Sequence, residues 1–174
     1  MDISCIKVGY LKCNCYLLEK NNTCLLIDPG DDLDKIIKFI GNKNIIGILL
    51  THSHFDHVSS VEDLVSIYNY PVYDINNLKE GVNKVGIFSF EVIKCFGHTN
   101  DSISFYFIDD KVMFTGDFLF KGTIGRCDLP ESDYGLMLKS IDKIKQYDDD
   151  IVIYPGHGVE STLGYEKNNN LYFS

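Results

Sequence analysis

The segment Thr51-His52-Ser53-His54-Phe55-Asp56-His57 places three imidazoles and a carboxylate within six consecutive positions. Few structural roles call for that density. Neutral imidazole and carboxylate are the nitrogen and oxygen donors that hold divalent cations such as zinc, iron and manganese. In an extended segment residues two apart point the same way, so His52 and His54 converge on one ion. A turn into a following helix then aims Asp56 and His57 at a neighbouring point.

The other two histidines stand in Gly97-His98-Thr99 and Pro155-Gly156-His157-Gly158, so the chain's five histidines fall in three short words. Asp117 follows in Phe114-Thr115-Gly116-Asp117. A carboxylate has two oxygens and can bridge two cations, as imidazole cannot. The expected arrangement is His52, His54 and His98 around one ion, Asp56, His57 and His157 around a second, and Asp117 between them. Such a pair lowers the pKa of a bound water, as one zinc does from about 15.7 to about 7, making hydroxide available at neutral pH. Asp56 is then the candidate catalytic group, accepting that hydroxide's proton.

These residues need strands to deliver them. Ile3 to Val8, Cys15 to Glu19 and Cys24 to Ile27 read as short strands, stopped by Asp28-Pro29-Gly30. Leu33, Ile36, Ile37 and Ile40 recur at helical spacing before Gly41. Ile45 to Leu50 reads as a buried strand leading straight into Thr51-His52. Ser59-Ser60-Val61-Glu62 has the form of a capping box for a helix with Val61, Leu64, Val65 and Tyr68 on one face. Further strands are expected at Val72-Tyr73, Phe88 to Cys95, Ile103 to Ile108, Val112 to Thr115 and Ile151 to Tyr154, with a turn at Asp109-Asp110. Ser132 offers an N-cap to a helix whose Met137, Leu138, Ile141 and Ile144 face inward. Each candidate ligand thus follows a predicted strand. With no linker or repeat, the expectation is one domain over residues 1–174, an α+β fold of two mixed sheets with helices outside.

The formal charge of −9 argues against a basic surface for nucleic acid or anionic lipid, and favours a small-molecule substrate. No apolar run approaches the roughly 20 residues needed to span a bilayer, and no export signal opens the chain. The expected location is the cytoplasm, with the six cysteines as free thiols. Cys13-x-Cys15 is a weak metal motif, and packing of both side chains on one strand face is the expectation. Asp28 is either a turn residue before Pro29 or the acceptor for a ligand histidine's second N–H. Arg126 either meets a substrate carboxylate or forms a structural ion pair. The loops at Phe118 to Pro130 and Asn76 to Lys84 are expected to wall the substrate pocket.

The order H-x-H-x-D-H, G-H-T, T-G-D and P-G-H-G at residues 52–57, 97–99, 115–117 and 155–158 resembles the metallo-β-lactamase superfamily across nearly the whole chain. Asn14-Cys15-Tyr16-Leu17-Leu18, Ile27-Asp28-Pro29-Gly30 and the word from Gly122 to Pro130 are similar to the glyoxalase II-like branch, whose members hydrolyse thioesters. The resemblance implies an αβ/βα four-layer sandwich and two divalent metal ions, zinc first, with iron or manganese as alternatives. It implies attack of a metal-bridging hydroxide on a thioester of the hydroxyacylglutathione type. Full glyoxalase II proteins carry a C-terminal helical domain that supplies much of the glutathione pocket, whereas only Gly158 to Ser174 follow the last expected ligand. Recognition of glutathione therefore stays open at this point. The rival within the fold is a persulfide dioxygenase, which would use one iron on His52 or His54, His98 and Asp117. Oligomeric state has no signature in the sequence.

Overall fold

The computed structural model describes residues 1–173; Ser174, the last residue of the expected domain, lies outside them. Strands β1 (Asp2–Val8), β2 (Cys13–Lys20) and β3 (Thr23–Ile27) form an antiparallel meander. Helix α1 (Leu33–Ile40) leads to β4 (Ile45–Leu49), which runs parallel to β3. Two short helices, α2 (Phe55–Val58) and α3 (Val61–Tyr68), precede β5 (Val72–Tyr73), parallel to β4. These five strands make one sheet in chain order.

The second sheet starts with the antiparallel strands β6 (Gly81–Val85), β7 (Phe88–Lys94), β8 (Ile103–Phe107) and β9 (Val112–Gly116). A two-stranded hairpin, β10 (Leu119–Phe120) and β11 (Thr123–Ile124), and helix α4 (Tyr134–Ile144) come next. Strand β12 (Val152–Pro155) then lies parallel to β9, followed by β13 (Ser161–Thr162) and α5 (Leu163–Asn169). The order across this sheet is β13-β12-β9-β8-β7-β6.

The period-2 pattern of the strands sets the layers. On β2, Tyr16 and Leu18 point to the other sheet, while Cys13, Cys15 and Leu17 point to the helices. The middle of the protein is accordingly an aromatic core between the sheets, with Phe88, Phe90, Phe105, Phe107 and Phe114 meeting Tyr16, Leu18, Leu25 and Leu49. Ile36, Ile40 and Leu64 cover the outer face of the first sheet. Met137, Ile141, Ile144 and Leu163 cover the second. The result is the expected αβ/βα four-layer sandwich. Among the described residues all six cysteines are free, and no helix is long and apolar enough to cross a membrane.

Several local expectations are corrected. Asp133, not Ser132, caps α4, its carboxylate accepting from the Leu136 N–H at 2.8 Å. Leu138 lies on the exposed side of that helix. Ser59 does not begin a capping box, because residues 55–58 are already helical and its hydroxyl donates to the Phe55 carbonyl. Ser60 holds the cap position of α3 without a side-chain bond. Residues 81–84, expected as part of a pocket loop, belong to edge strand β6, whose Val82 and Lys84 face solvent. The hairpin β10–β11, strand β13 and helix α5 had no expected counterpart.

Strand β9 carries Asp117 at its end, and its Phe114 ring sits 5.1 Å from Tyr16, 5.2 Å from Tyr154 and 5.8 Å from Phe107. Truncation there opens a cavity that such a neighbourhood cannot fill. Phe114→Ala is expected to cost about 3–5 kcal/mol in urea unfolding. A loss under about 1 kcal/mol would mean that the strand is not held by this packing.

Candidate metal centre

Strand β7 is parallel to β9, since both run antiparallel to β8, and β12 is parallel to β9 as well. The C-terminal ends of β7, β9 and β12 therefore emerge on one side of the second sheet. They bring His98, Asp117 and His157 to the segment that leaves β4 in the first sheet. All seven residues singled out in the sequence are thus gathered at one edge of the sandwich.

Their donor atoms fall into overlapping groups. One holds His52, His54 and His98; another His52, His57 and Asp117; a third Asp56, His57, His157 and Cys13, with the atoms of each group within 4.8 Å of one another. His98 Nε2 is 2.9 Å from His54 Nδ1 and 3.7 Å from Asp117 Oδ2. On the other side His157 Nε2 is 3.0 Å from Asp56 Oδ2 and 3.6 Å from Asp117 Oδ2, and His57 Nε2 is 3.3 Å from Asp117 Oδ1. Asp117 lies between the two sets, as expected of a bridging carboxylate. Cys13 is the member that the sequence reading assigned to packing alone.

Each imidazole has one nitrogen fixed from behind. The Nδ1 of His57 donates to Asp28 Oδ2 at 2.9 Å, that of His98 to the Arg126 carbonyl at 2.9 Å, and that of His157 to the Leu11 carbonyl at 3.1 Å. His54 is turned the other way, its Nε2 donating to Glu131 Oε1 at 2.8 Å, which leaves Nδ1 facing inward. For His52 the partner is Thr51 Oγ1 at 3.0 Å. That hydroxyl gives its only proton to Asp28 Oδ2 at 2.7 Å, so it can only accept from His52 Nδ1. In every ring the other nitrogen points to the centre, which is the arrangement that sets aim in metal-binding histidines.

The centre has unmet demand. His52 Nε2, His57 Nε2 and Asp117 Oδ1 are buried and have no hydrogen-bond partner among the described residues. A buried polar atom left unpaired costs roughly 1–3 kcal/mol, and all three atoms face the same small space. Divalent cations are the species whose chemistry fits lone pairs from imidazole and carboxylate in this arrangement.

The electrostatics divide the histidines: burial lowers the pKa of His52 and His98, whereas against burial Asp28 and Asp117 raise that of His57, and Asp56 and Asp117 raise that of His157. Burial, reinforced by the neighbouring His57, holds His52 well below the usual imidazole range, so it stays neutral. For Asp56 and Asp117 burial acts to raise the pKa, yet both are held below the usual carboxylate range. Asp56 is held down by His157 and His57, and Asp117 chiefly by His57. Burial pushes the Cys13 thiol up to about 11, against an opposing contact with His57.

Close packing of the backbone makes this convergence possible. A Cβ on Gly156 would sit 2.3 Å from Asp117 Oδ1 and 2.6 Å from His57 Cε1, and one on Gly30 would sit 1.8 Å from the Asp56 carbonyl oxygen. Helix α4 is tied to the His98 loop by Ser132 Oγ, which donates to the His98 carbonyl at 2.7 Å. Arg126 makes a two-point ion pair with Asp128 at 2.8 and 3.0 Å on the open surface, so the structural role is the one its side chain adopts. Asp28 serves as acceptor for both Thr51 and His57 as well as standing at the turn.

Two mixed sheets sandwiched between helices, with His and Asp side chains meeting at one edge, define a metal-site protein of the αβ/βα class. The chain belongs to the metallo-beta-lactamase superfamily, whose pattern matches residues 8–80 and 71–157. Hydroxyacylglutathione hydrolase GloC of Haemophilus influenzae is 33% identical over 211 aligned residues, spanning 100% of this chain and 99% of that one. The solved structure of BLEG-1, described as a B3 metallo-beta-lactamase, has a TM-score of 0.94 at 28% identity, covering 99% of this chain and 100% of that one. TTHA1623 in a di-iron-bound form has a TM-score of 0.89 at 31% identity, covering 97% and 99%.

Asp28→Asn tests how far the ligands depend on what stands behind them. It places an amide N–H where the ring of His57 needs an acceptor. Metal affinity, read by competition with a chromophoric chelator, is expected to fall about 10–100-fold. Unchanged affinity would assign Asp28 to the turn alone.

Proposed function

We propose that this protein is a dinuclear metal-dependent hydrolase that cleaves a small-molecule thioester of the hydroxyacylglutathione type. The observation that carries the reading is the set of five histidines, each with one nitrogen committed outward and the other aimed at a shared centre beside Asp56 and Asp117. In this reading His52, His54 and His98 hold one cation, Asp56, His57 and His157 the other, and Asp117 bridges. The identity to GloC over the full chain supports the thioester as substrate class. Zinc is the proposed metal, with iron or manganese compatible with the same donors.

Two bound divalent cations would supply hydroxide at neutral pH and polarise the thioester carbonyl. The chain's residues supply the rest. Asp56, held ionised beside His157, is the proposed acceptor of the nucleophile's proton. Thr51 and Asp28 hold the outward nitrogens of His52 and His57, so that each ring presents its Nε2 to the centre. The hairpin β10–β11 lies beside His157 through Phe120, the Gly125 and Arg126 backbone lies against His98, and Asp74 to Asn76 line a small cavity with His52. These walls are the proposed substrate contacts. Arg126 is engaged with Asp128 and is not assigned to a substrate carboxylate. With a net charge of −9, the proposal includes no nucleic-acid or membrane partner.

The test is metal content per chain on protein purified without added metal, followed by assay of the same sample against S-lactoylglutathione and a simple neutral thioester. Two zinc ions with hydrolysis abolished by a chelator is the expected result. One iron, oxygen consumption with a persulfide and no hydrolysis would replace this reading with the dioxygenase. Turnover of the neutral thioester alone would keep the hydrolase and remove glutathione. Asp56→Asn is expected to lower kcat by about 10²–10⁴-fold. Asp56→Ala with full metal content and full activity would end the proposed proton-accepting role.

A further inference from the structure

Cys13 and Cys15 share the outer face of β2 with Leu17, yet they do not share surroundings. Cys13 is the first residue of the strand, directly after the Gly9 to Lys12 turn, whose Leu11 carbonyl receives the His157 ring. The next residue, Asn14, is bonded through its backbone N–H to the Gly156 carbonyl at 2.7 Å. The end of β2 is thereby stitched to the loop that carries His157. Cys13 is fully buried, and its sulfur falls in one group with Asp56, His57 and His157, all four donor atoms lying within 4.8 Å of one another. Within the same group His57 is completely buried and its Nε2 has no hydrogen-bond partner among the described residues.

We propose that the Cys13 sulfur is a ligand of the cation held by Asp56, His57 and His157, making that position a mixed sulfur, nitrogen and oxygen site. The inference rests on the two-metal reading above and adds a donor to one half of it. Zinc–sulfur and zinc–nitrogen lengths of about 2.3 and about 2.0–2.1 Å put the donors of a tetrahedral site roughly 3.6 Å apart. The donor atoms here, within 4.8 Å of one another, reach that spacing by side-chain shifts of up to about an ångström. Coordination exchanges the thiol proton for the metal: the S–H bond breaks, a sulfur–metal bond forms and the proton leaves to solvent, with no change of oxidation state. One consequence is unequal metal preference. A thiolate favours zinc or cobalt over manganese, whereas the His52, His54 and His98 position has no sulfur to make that choice.

Cobalt(II) reports on both halves of the argument at once. Apoprotein loaded with two equivalents is expected to show visible d–d bands together with a near-ultraviolet thiolate-to-cobalt charge-transfer band. The charge-transfer band should persist in Cys15→Ser and vanish in Cys13→Ser, with the second cobalt bound more than about tenfold more weakly in the latter. Visible bands without a charge-transfer band, or a charge-transfer band that survives Cys13→Ser, would overturn the proposal and leave the two-metal reading standing. Absence of all cobalt bands would overturn both. X-ray absorption on zinc-loaded unmutated protein gives a check that needs no variant. One sulfur neighbour for every two zinc ions, at about 2.3 Å, is expected, and a fit with nitrogen and oxygen alone would overturn the proposal.

Discussion

The Asp28 carboxylate stands buried at the end of β3 and accepts three hydrogen bonds, from the Thr51 N–H, the Thr51 hydroxyl and the His57 ring. Its own backbone is in the left-handed region at φ 49°, a conformation that costs a non-glycine residue on the order of 1–3 kcal/mol and persists where the surroundings demand it. The demand here is plain. By accepting from the Thr51 hydroxyl, Asp28 obliges that oxygen to accept from His52, and by accepting from His57 Nδ1 it turns the opposite nitrogen to the centre. One carboxylate therefore sets the aim of two rings on either side of Asp117. The parallel pairing of β3 with β4 is what places Asp28 beside Thr51 in the first place.

The cost of such a centre must be met elsewhere in the molecule. Imidazoles and ionised carboxylates crowd one edge, with three buried donor or acceptor atoms lacking hydrogen-bond partners among the described residues. The aromatic layer between the sheets offsets this, through Phe90 against Phe105, Phe107 against Phe114, and Phe114 against Tyr16 and Tyr154. Among these rings Phe90 lies on β7, Phe114 on β9 and Tyr154 on β12, the strands whose ends lead to His98, Asp117 and His157. Packing of the core and aim of the ligands are thus two consequences of the same strand registers, so neither can drift without the other.

The scaffold by itself does not choose a reaction. GloC and BLEG-1 align along almost the whole of this chain, though one is described as a hydroxyacylglutathione hydrolase and the other as a B3 metallo-beta-lactamase. The alignment with GloC runs to more positions than the 174 residues present here, so that relative carries segments this chain lacks. Differences of this kind fall in connections between elements, where a pocket wall is built or omitted without disturbing the sheets. The one guanidinium close to this centre, that of Arg126, is paired with Asp128.

The seven candidate ligands were legible in the sequence because their chemistry and their placement coincide: histidine and aspartate at the ends of apolar, β-branched strands, in words too dense for a packing role. The four layers were legible for a related reason, since alternation on strands such as β2 and the 3.6-residue spacing of Ile36 and Ile40 declare which face is buried. Edge strand β6 was not, because Gly81-Val82-Asn83-Lys84 alternates without a strong apolar face and gains its pairing only from β7. Nor were the partners behind the ligands. Glu131 lies 77 residues from His54, the Arg126 carbonyl 28 from His98, and Leu11 146 from His157. Cys13 packs in the core as expected, and only the pairing of distant segments shows that its sulfur also neighbours His57 and His157. Sequence determines which side chains can bind a cation and which faces must be buried, since both follow from residue type and local period. Which loop backs which ring is settled by long-range packing of the sheets, because a hydrogen bond between distant segments has no local pattern to announce it.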